Sequence, residues 1–474
     1  MPPDERAAPV ARPNPWPALA VLCLANFLIL LDTTIVNTAA PDMMRGLGAG
    51  IGEILWVLNG YLLAFASLLI VFGRLGDLVG PRLVFVAGLG LFTVASVLCA
   101  VSGSPEALIA ARVVQGVAAA ALVPQALVLI SAIFPADRRG AAFGIFTAVA
   151  GVAAVSGPTL GGFLVTEMGW QSIFYLNVPV GLAGLLLALW LVPDLRPGRR
   201  HRFDLVGVLL ATAGLVAVVY PLIEWRRGQW GLLAAGLVLL ALFAVWERRA
   251  AEPLVPLDLF GDRNYAIATL VTFIVSFSLY GLLLVYVLET QNVLGMSPLR
   301  SGVSALPWTL SLGALAPLAG RFADRIGGRI LLVAGLAIYA VGLLGVAYVP
   351  TATSTAATFV LPLILVGVGM GMTIAPATTE AMRYVAPERS GAASGVLNTA
   401  RQAGAAVGAA VTGAVLQSQL DRGLLAATRP TLSVVAAVVL AGSGLALFMP
   451  RLSGNRLSSN QGEDATAASR EAGK

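Results

Sequence analysis

The chain has 474 residues, of which 58% are hydrophobic and only 11% charged, and it carries a formal net charge of +6. Apolar runs recur along its whole length, so the class is a polytopic membrane protein. A pI near 9.7 raises nucleic acid as a partner, but the basic residues are scattered over short connections and not interleaved with aromatics, which excludes it.

In lipid a backbone must satisfy its own hydrogen bonds, and continuous runs of about 20 apolar residues indicate helices rather than barrel strands. Fourteen spans follow in chain order. The first seven are Trp16 to Ala39, Ile54 to Phe72, Leu83 to Val101, Ala107 to Phe134, Gly140 to Val165, Ile173 to Val192 and Leu205 to Ile223. The second seven are Trp230 to Trp246, Tyr265 to Glu289, Ser301 to Ala319, Ile330 to Val349, Thr355 to Thr378, Ser390 to Leu416 and Leu432 to Met449. The first span is too long for a signal-peptide core and reads as a retained anchor.

Of the 30 basic residues, 22 lie in the tails and the even-numbered connections, six on the opposite side, and two, Arg112 and Arg401, inside spans. The positive-inside rule then makes both termini cytoplasmic, in a multi-pass protein of the cell membrane. Cys23 and Cys99 both fall in apolar spans and read as small core residues, so neither a disulfide nor a metal site is expected.

Asp32 is a lone carboxylate within the first span, in the run LILLDTTIVNTAAP. An ionised Asp at that depth needs a partner or an aqueous cavity, which makes it the candidate proton carrier. In the fourth span, ARVVQG sets Arg112 and Gln115 three residues apart, on one helix face. Arg112 lies seven residues in from Pro105, and Asp32 seven from Ala39. At about 1.5 Å per residue both sit roughly 10 Å below the same boundary and can pair.

An internal repeat gives the architecture. GRLGDLVGPR (Gly73 to Arg82) follows the second span and GRFADRIGGR (Gly320 to Arg329) follows the tenth, 247 residues later; DRRGAAFGI at Asp137 returns as ERSGAASGV at Glu388, 251 residues later. Parallel six-helix repeats are implied. The expected division is a tail at 1–15, a six-helix half at 16–192, a basic connector at 193–203, a two-helix insertion at 204–250, a second half at 251–449 and a polar tail at 450–474. His201, in the connector, reads as part of a solvated, topology-setting loop.

The motifs LDTTIVN, GRLGDLVGPR, ARVVQG, GPTLGG and WQSIFYLNVPVG together resemble the major facilitator superfamily, in its fourteen-helix drug:proton antiporter branch, over nearly the whole chain. The resemblance implies proton-driven efflux of small lipophilic compounds, with no cofactor beyond the proton gradient. It implies a monomer in the bilayer whose partners are protons and a small-molecule substrate. In the family the loop after the second span meets the start of the thirteenth helix, here near Gly391, and favours the outward-facing form. That assigns Gly73, Asp77, Arg82 and their counterparts Gly320, Asp324 and Arg329 to a conformational switch. The first copy departs from the family pattern, with Leu78 and Pro81 where basic residues are usual.

In the fifth span Gly157, Pro158, Gly161 and Gly162 place a proline and three small residues together, a functional hinge or a simple kink. Trp170, Asn177 and Pro179 read as structural signals at the entry to the sixth. Arg401, roughly 16 Å into its helix, is followed by Gln402; it faces the cavity, or it pairs with Glu289 or a backbone carbonyl. Asn37, Gln115, Arg401 and Gln402 are the cavity candidates. One deep acid against two deep bases makes the cavity slightly basic, so neutral, monocationic or anionic substrates are expected rather than dicationic ones. Trp56, Asn59, Tyr61, Phe146, Tyr280 and Trp308 read equally as lining or as core. A proton symporter for a specific metabolite is the alternative, and a non-transporting receptor the remote one. No HExxH, no GxSxG and no paired deep carboxylates point to an enzyme.

Overall fold

The computed structural model describes residues 14–194, 204–224, 229–250, 257–351, 353–385 and 390–450. The tails, the connector with His201, and the side chains of Arg74, Asp77, Glu224 and Asp324 lie outside the described residues, as does the surface at Gly391. Every regular element described is helical.

The first half holds α1 (Trp16–Leu47), α2 (Ile51–Val79), α3 (Pro81–Ala100), α4 (Pro105–Ile133), α5 (Ala136–Met168), α6 (Ser172–Tyr175) and α7 (Asn177–Leu191). Next come α8 (Leu205–Glu224) and α9 (Trp230–Glu247). The second half holds α10 (Arg263–Leu288), α11 (Pro298–Ser304), α12 (Leu306–Ile326), α13 (Gly328–Tyr348), α14 (Val360–Met382), α15 (Ser390–Gln419) and α16 (Leu424–Ala446). Among the described residues, twelve helical segments are long and apolar enough to cross a membrane. The 33-residue α5 and the 30-residue α15 stand outside that set. Both are rich in Gly and Ala, which let neighbouring helices approach closely.

Several boundaries differ from the sequence reading. The first helix continues through Pro41 to Leu47 and stops at Gly48, whose φ of 64° is left-handed and whose N–H closes on the Met44 carbonyl. The sixth span is broken at Leu176, and the tenth at Ala305. The two repeated glycine motifs are not loops but helix ends. The α2 helix runs to Val79 and α12 to Ile326, and each reverses at one glycine, Gly80 (φ 100°) or Gly327 (φ 83°). Only a residue without Cβ adopts those angles at low cost.

The end where α1 begins is proximal here, and the opposite end distal. A buried apolar cluster built on α1 to α7 extends into the second half through Tyr280, Leu284, Leu288, Ala405, Ala409 and Leu416, the distal parts of α10 and α15. A second cluster fills the interior of the second half. The halves are thus packed together distally. A Cβ added to Gly162 of α5 would come within 2.4 Å of the Pro298 carbonyl, and one on Gly302 of α11 within 2.2 Å of the Pro158 carbonyl. Gln291 Nε2 donates to the Thr38 carbonyl at 3.0 Å, and the Leu299 N–H to Thr166 Oγ1 at 3.0 Å.

The α8 and α9 helices pack on each other through Gly214 and Gly236. Only α8 reaches the rest of the bundle in strength, lying against both α2 and α15; its Thr212 hydroxyl donates to the Ser67 carbonyl at 3.0 Å.

Gly302→Ala places a methyl group against the Pro158 carbonyl. It is expected to destabilise the closed distal end by about 1–3 kcal/mol, the usual cost of overpacking. A cysteine introduced at Thr159, beside that contact, should then react faster with a water-soluble maleimide than in the parent chain.

Candidate functional site

Asp32 sits midway along α1 and is fully buried. The hydroxyls beside it do not help: Thr33 Oγ1 donates to the Leu30 carbonyl at 2.7 Å and Thr34 Oγ1 to the Leu31 carbonyl at 3.1 Å. Its partners come from other helices. Arg112 Nη1 on α4 donates to Asp32 Oδ2 at 2.5 Å. One turn along, Gln115 Nε2 donates to Oδ1 at 3.0 Å, and Asn177 Nδ2, the first residue of α7, to the same oxygen at 3.0 Å.

Each partner is itself held. Arg112 Nη1 also donates to Gln115 Oε1 at 2.6 Å and its Nε to the Val57 carbonyl of α2 at 3.2 Å, while its guanidinium lies 4.2 Å from the centre of the Tyr61 ring. That stacking and the fork of donors keep a planar cation fixed where a lysine would not be. Gln115 Nε2 reaches Ser96 Oγ on α3 at 3.0 Å. Gly116 makes the geometry possible, since a Cβ there would come within 2.3 Å of the Tyr61 carbonyl. Asp32, Ser96, Arg112, Gln115 and Asn177 are each no more than 1% exposed. The result is a neutral, dry ion pair inside the first half, tying α1 to α3, α4 and α7.

A small cavity adjoins the pair on the side toward the second half. Arg112 and Tyr61 line it with Thr33, Asn37, Tyr280 and Ala409. Asp32 does not; it lies behind Arg112. Asn37 Nδ2 donates to the Thr33 carbonyl at 3.0 Å, which leaves its carbonyl oxygen and its second amide hydrogen as the groups it can offer a ligand.

These elements can be set beside known proteins. The family model described as the Major Facilitator Superfamily matches residues 22–409, from α1 to α15. The chain belongs to the major facilitator superfamily. It is 38% identical to the multidrug resistance protein Stp of Mycobacterium tuberculosis (strain CDC 1551 / Oshkosh), over 84% of this chain and 75% of that one. It is also 38% identical to the puromycin resistance protein pur8 of Streptomyces alboniger, over 89% of this chain and 88% of the other. Among solved structures, a bacterial homologue of the human peptide transporters PepT1 and PepT2 superposes with a TM-score of 0.65 at 16% identity. That match covers 91% of this chain and 97% of the other, and it shows the fold.

Within this major facilitator chain the remaining expected residues are spread widely. Arg401 Nη2 donates to Asn398 Oδ1 one turn back on α15, not to Glu289, and its Nε has no partner among the described residues. The spacing of Arg401, Ala405 and Ala409 puts it on the cavity face of α15, about two turns toward the proximal end. Gln402 is buried on the same helix. Of the aromatic candidates, Tyr61 and Tyr280 line the cavity, Trp56 packs at a tilt against Tyr220 of α8, and Phe146 and Trp308 are buried. Asn59 is buried too, with its Nδ2 donating to the Leu55 carbonyl.

The glycines of the fifth span serve contact. Gly157 packs on Thr34 and Gly161 on Ile35, both on α1, while Gly162 and Pro158 meet α11. In the repeated motifs Gly73 lies near Pro124 and Gly320 near Ala375. Arg82 Nη2 donates to the Leu189 carbonyl at the end of α7 at 2.5 Å, and Arg329 is partly exposed at the start of α13. Asp77 and Asp324 lie among the side chains outside the description.

Sequence reasoning missed three groups. Asn177, read as an entry signal, is a direct ligand of Asp32. Ser96 carries no signal beyond being polar in an apolar span. Glu380, near the proximal end of α14, accepts the Gly328 N–H at 2.5 Å and pairs with Arg383 at 2.7 Å, fastening the α12–α13 turn.

Removing one member of a buried ion pair leaves the other charge uncompensated. Arg112→Ala is expected to destabilise the first half by about 3–5 kcal/mol, seen as a lower thermal unfolding temperature in detergent. The double variant Arg112→Ala with Asp32→Asn should recover most of that loss.

Proposed function

We propose that this chain is a proton-driven efflux transporter that exports small lipophilic compounds, antibiotics among them, with Asp32 as the proton carrier. The observation that carries this reading is the dry Asp32–Arg112 pair, in a major facilitator chain 38% identical to proteins named for multidrug and puromycin resistance. In this reading the twelve apolar segments, with α5 and α15, make fourteen crossings, and the proximal end, rich in Arg, is cytoplasmic, with both termini, in the cell membrane. The chain then works as a monomer, without a cofactor.

The mechanism follows from the contacts. With the distal end closed, Asp32 accepts hydrogen bonds from one cation and two amide donors. Rocking of the halves parts the cavity that Arg112 lines with Tyr280 and Ala409 and lets water reach the pair. Protonation then cancels the charge that Arg112 faces and frees the guanidinium toward the cavity it already lines. Proton entry and compound exit are thereby exclusive at one cation. One proton gains about 2.3 kcal/mol per 100 mV of membrane potential. The switch assigned to Gly73, Asp77 and Arg82, and to Gly320, Asp324 and Arg329, belongs to the proximal end, where the α2–α3 and α12–α13 turns each rest on one glycine.

Inside-out vesicles energised to an acid interior are expected to release protons when an exported antibiotic, dye or quaternary amine is added. Asp32→Asn leaves Arg112 without its counter-ion and lowers stability, but the folded fraction should still bind compound and lose this release. Uphill transport that persists in Asp32→Asn would refute the role.

A further inference from the structure

The carboxyl of Glu289 is wholly buried at the distal end of α10, and neither oxygen has a hydrogen-bond partner among the described residues. It opens a π-helical turn, Glu289–Val293, a widened backbone form that concentrates at functional sites. The same turn bridges the two halves through Gln291 Nε2 and the Thr38 carbonyl, six residues along α1 from Asp32.

The hydroxyls nearest to it in sequence and on α11 and α16 are engaged elsewhere. Tyr286 Oη pairs with Ser304 Oγ at 2.5 Å, Thr290 Oγ1 with Ser301 Oγ at 2.7 Å, and the Thr428 and Thr431 hydroxyls of α16 donate to their own helix. The charged groups on the elements packed here face elsewhere. Arg429 on α16 is the cation whose field reaches Glu289, but it is exposed and lies over the Tyr348 ring. Arg300 on α11 is exposed, and Asp42 and Arg45 on α1 pair with each other at 2.6 Å.

A carboxylate with two orphaned oxygens and no cation in contact is not tolerated in such a place, whereas a carboxylic acid is. We infer that Glu289 is a second proton-binding site, loaded from the distal side as the halves close over it and emptied when they part. Protonation and distal closure are then linked equilibria, so acid favours the closed distal end and alkali the open one. This is distinct from the Asp32 pair, which is satisfied while charged and lies within one half. The inference rests on the alternating access proposed above but not on any particular substrate.

The test reads conformation without transport. Spin labels are placed at Met168→Cys on α5 and Val349→Cys after α13, both exposed at the distal end, with the buried Cys23 and Cys99 left in place. Distances are measured in Asp32→Asn, so that the other carboxyl cannot respond, from about pH 5 to about pH 9, a range wide enough for a carboxyl perturbed by burial. The long-distance population is expected to grow at least tenfold as the pH rises. Adding Glu289→Gln, which mimics the protonated acid, should abolish that growth and hold the short distance throughout, while Glu289→Asp should retain a pH-dependent shift. A pH-insensitive Asp32→Asn chain, or a double variant that still opens with alkali, overturns the inference. The proposed efflux activity would be untouched by either result, because it is read from compound-induced proton release.

Discussion

The arrangement depends on one ion pair kept out of water. Asp32 and Arg112 would each be costly alone in the membrane interior, and together they form a neutral unit whose donors and acceptors are nearly all matched. Matching requires donors from α4 and α7 and a carbonyl acceptor from α2, so the first half can close around the pair only in one register. The glycines at 116, 157 and 161 follow from the same requirement, because each brings a neighbouring backbone or side chain within the space a methyl group would occupy. A polar centre of this kind specifies the packing of α1 as much as it serves chemistry.

Much of this was legible in the sequence, for physical reasons. A charge inside an apolar span is conspicuous, and the rise of a helix fixes depth, so pairing of Asp32 with Arg112 followed from counting residues. Arg112 and Gln115 share a face by helical period alone. The family resemblance is shown over most of the chain. The rest was hidden where local pattern and tertiary contact part company. Asn177 lies 145 residues from Asp32, and nothing at its own position distinguishes a helix-entry amide from a ligand. Helix ends were misplaced where a glycine motif suggested a loop, because a helix can carry glycine to its last turn if the reversal itself falls on a positive φ.

The two halves share repeated sequence motifs but have different interiors. The first keeps its charges in the middle and satisfies them. The second has no comparable pair among its described residues: Arg401 leans on an amide and Glu289 on nothing. The distal contact joins these unlike parts, since Gln291 and Gly302 of the second half rest on the helices that carry Asp32 and Pro158. A change of charge in either interior therefore acts on a shared surface.

The placement of α8 gives the molecule two unlike flanks. On one side a whole helix lies along the seam between α2 and α15. On the other, α5 and α12 meet without such a cover and present Val152, Phe163, Leu310 and Phe322 outward. A greasy solute diffusing within a bilayer leaflet thus encounters a walled side and a side of bare helix edges. Among the described residues, the membrane-facing seam between the halves is therefore covered by a helix at α2–α15 and by none at α5–α12.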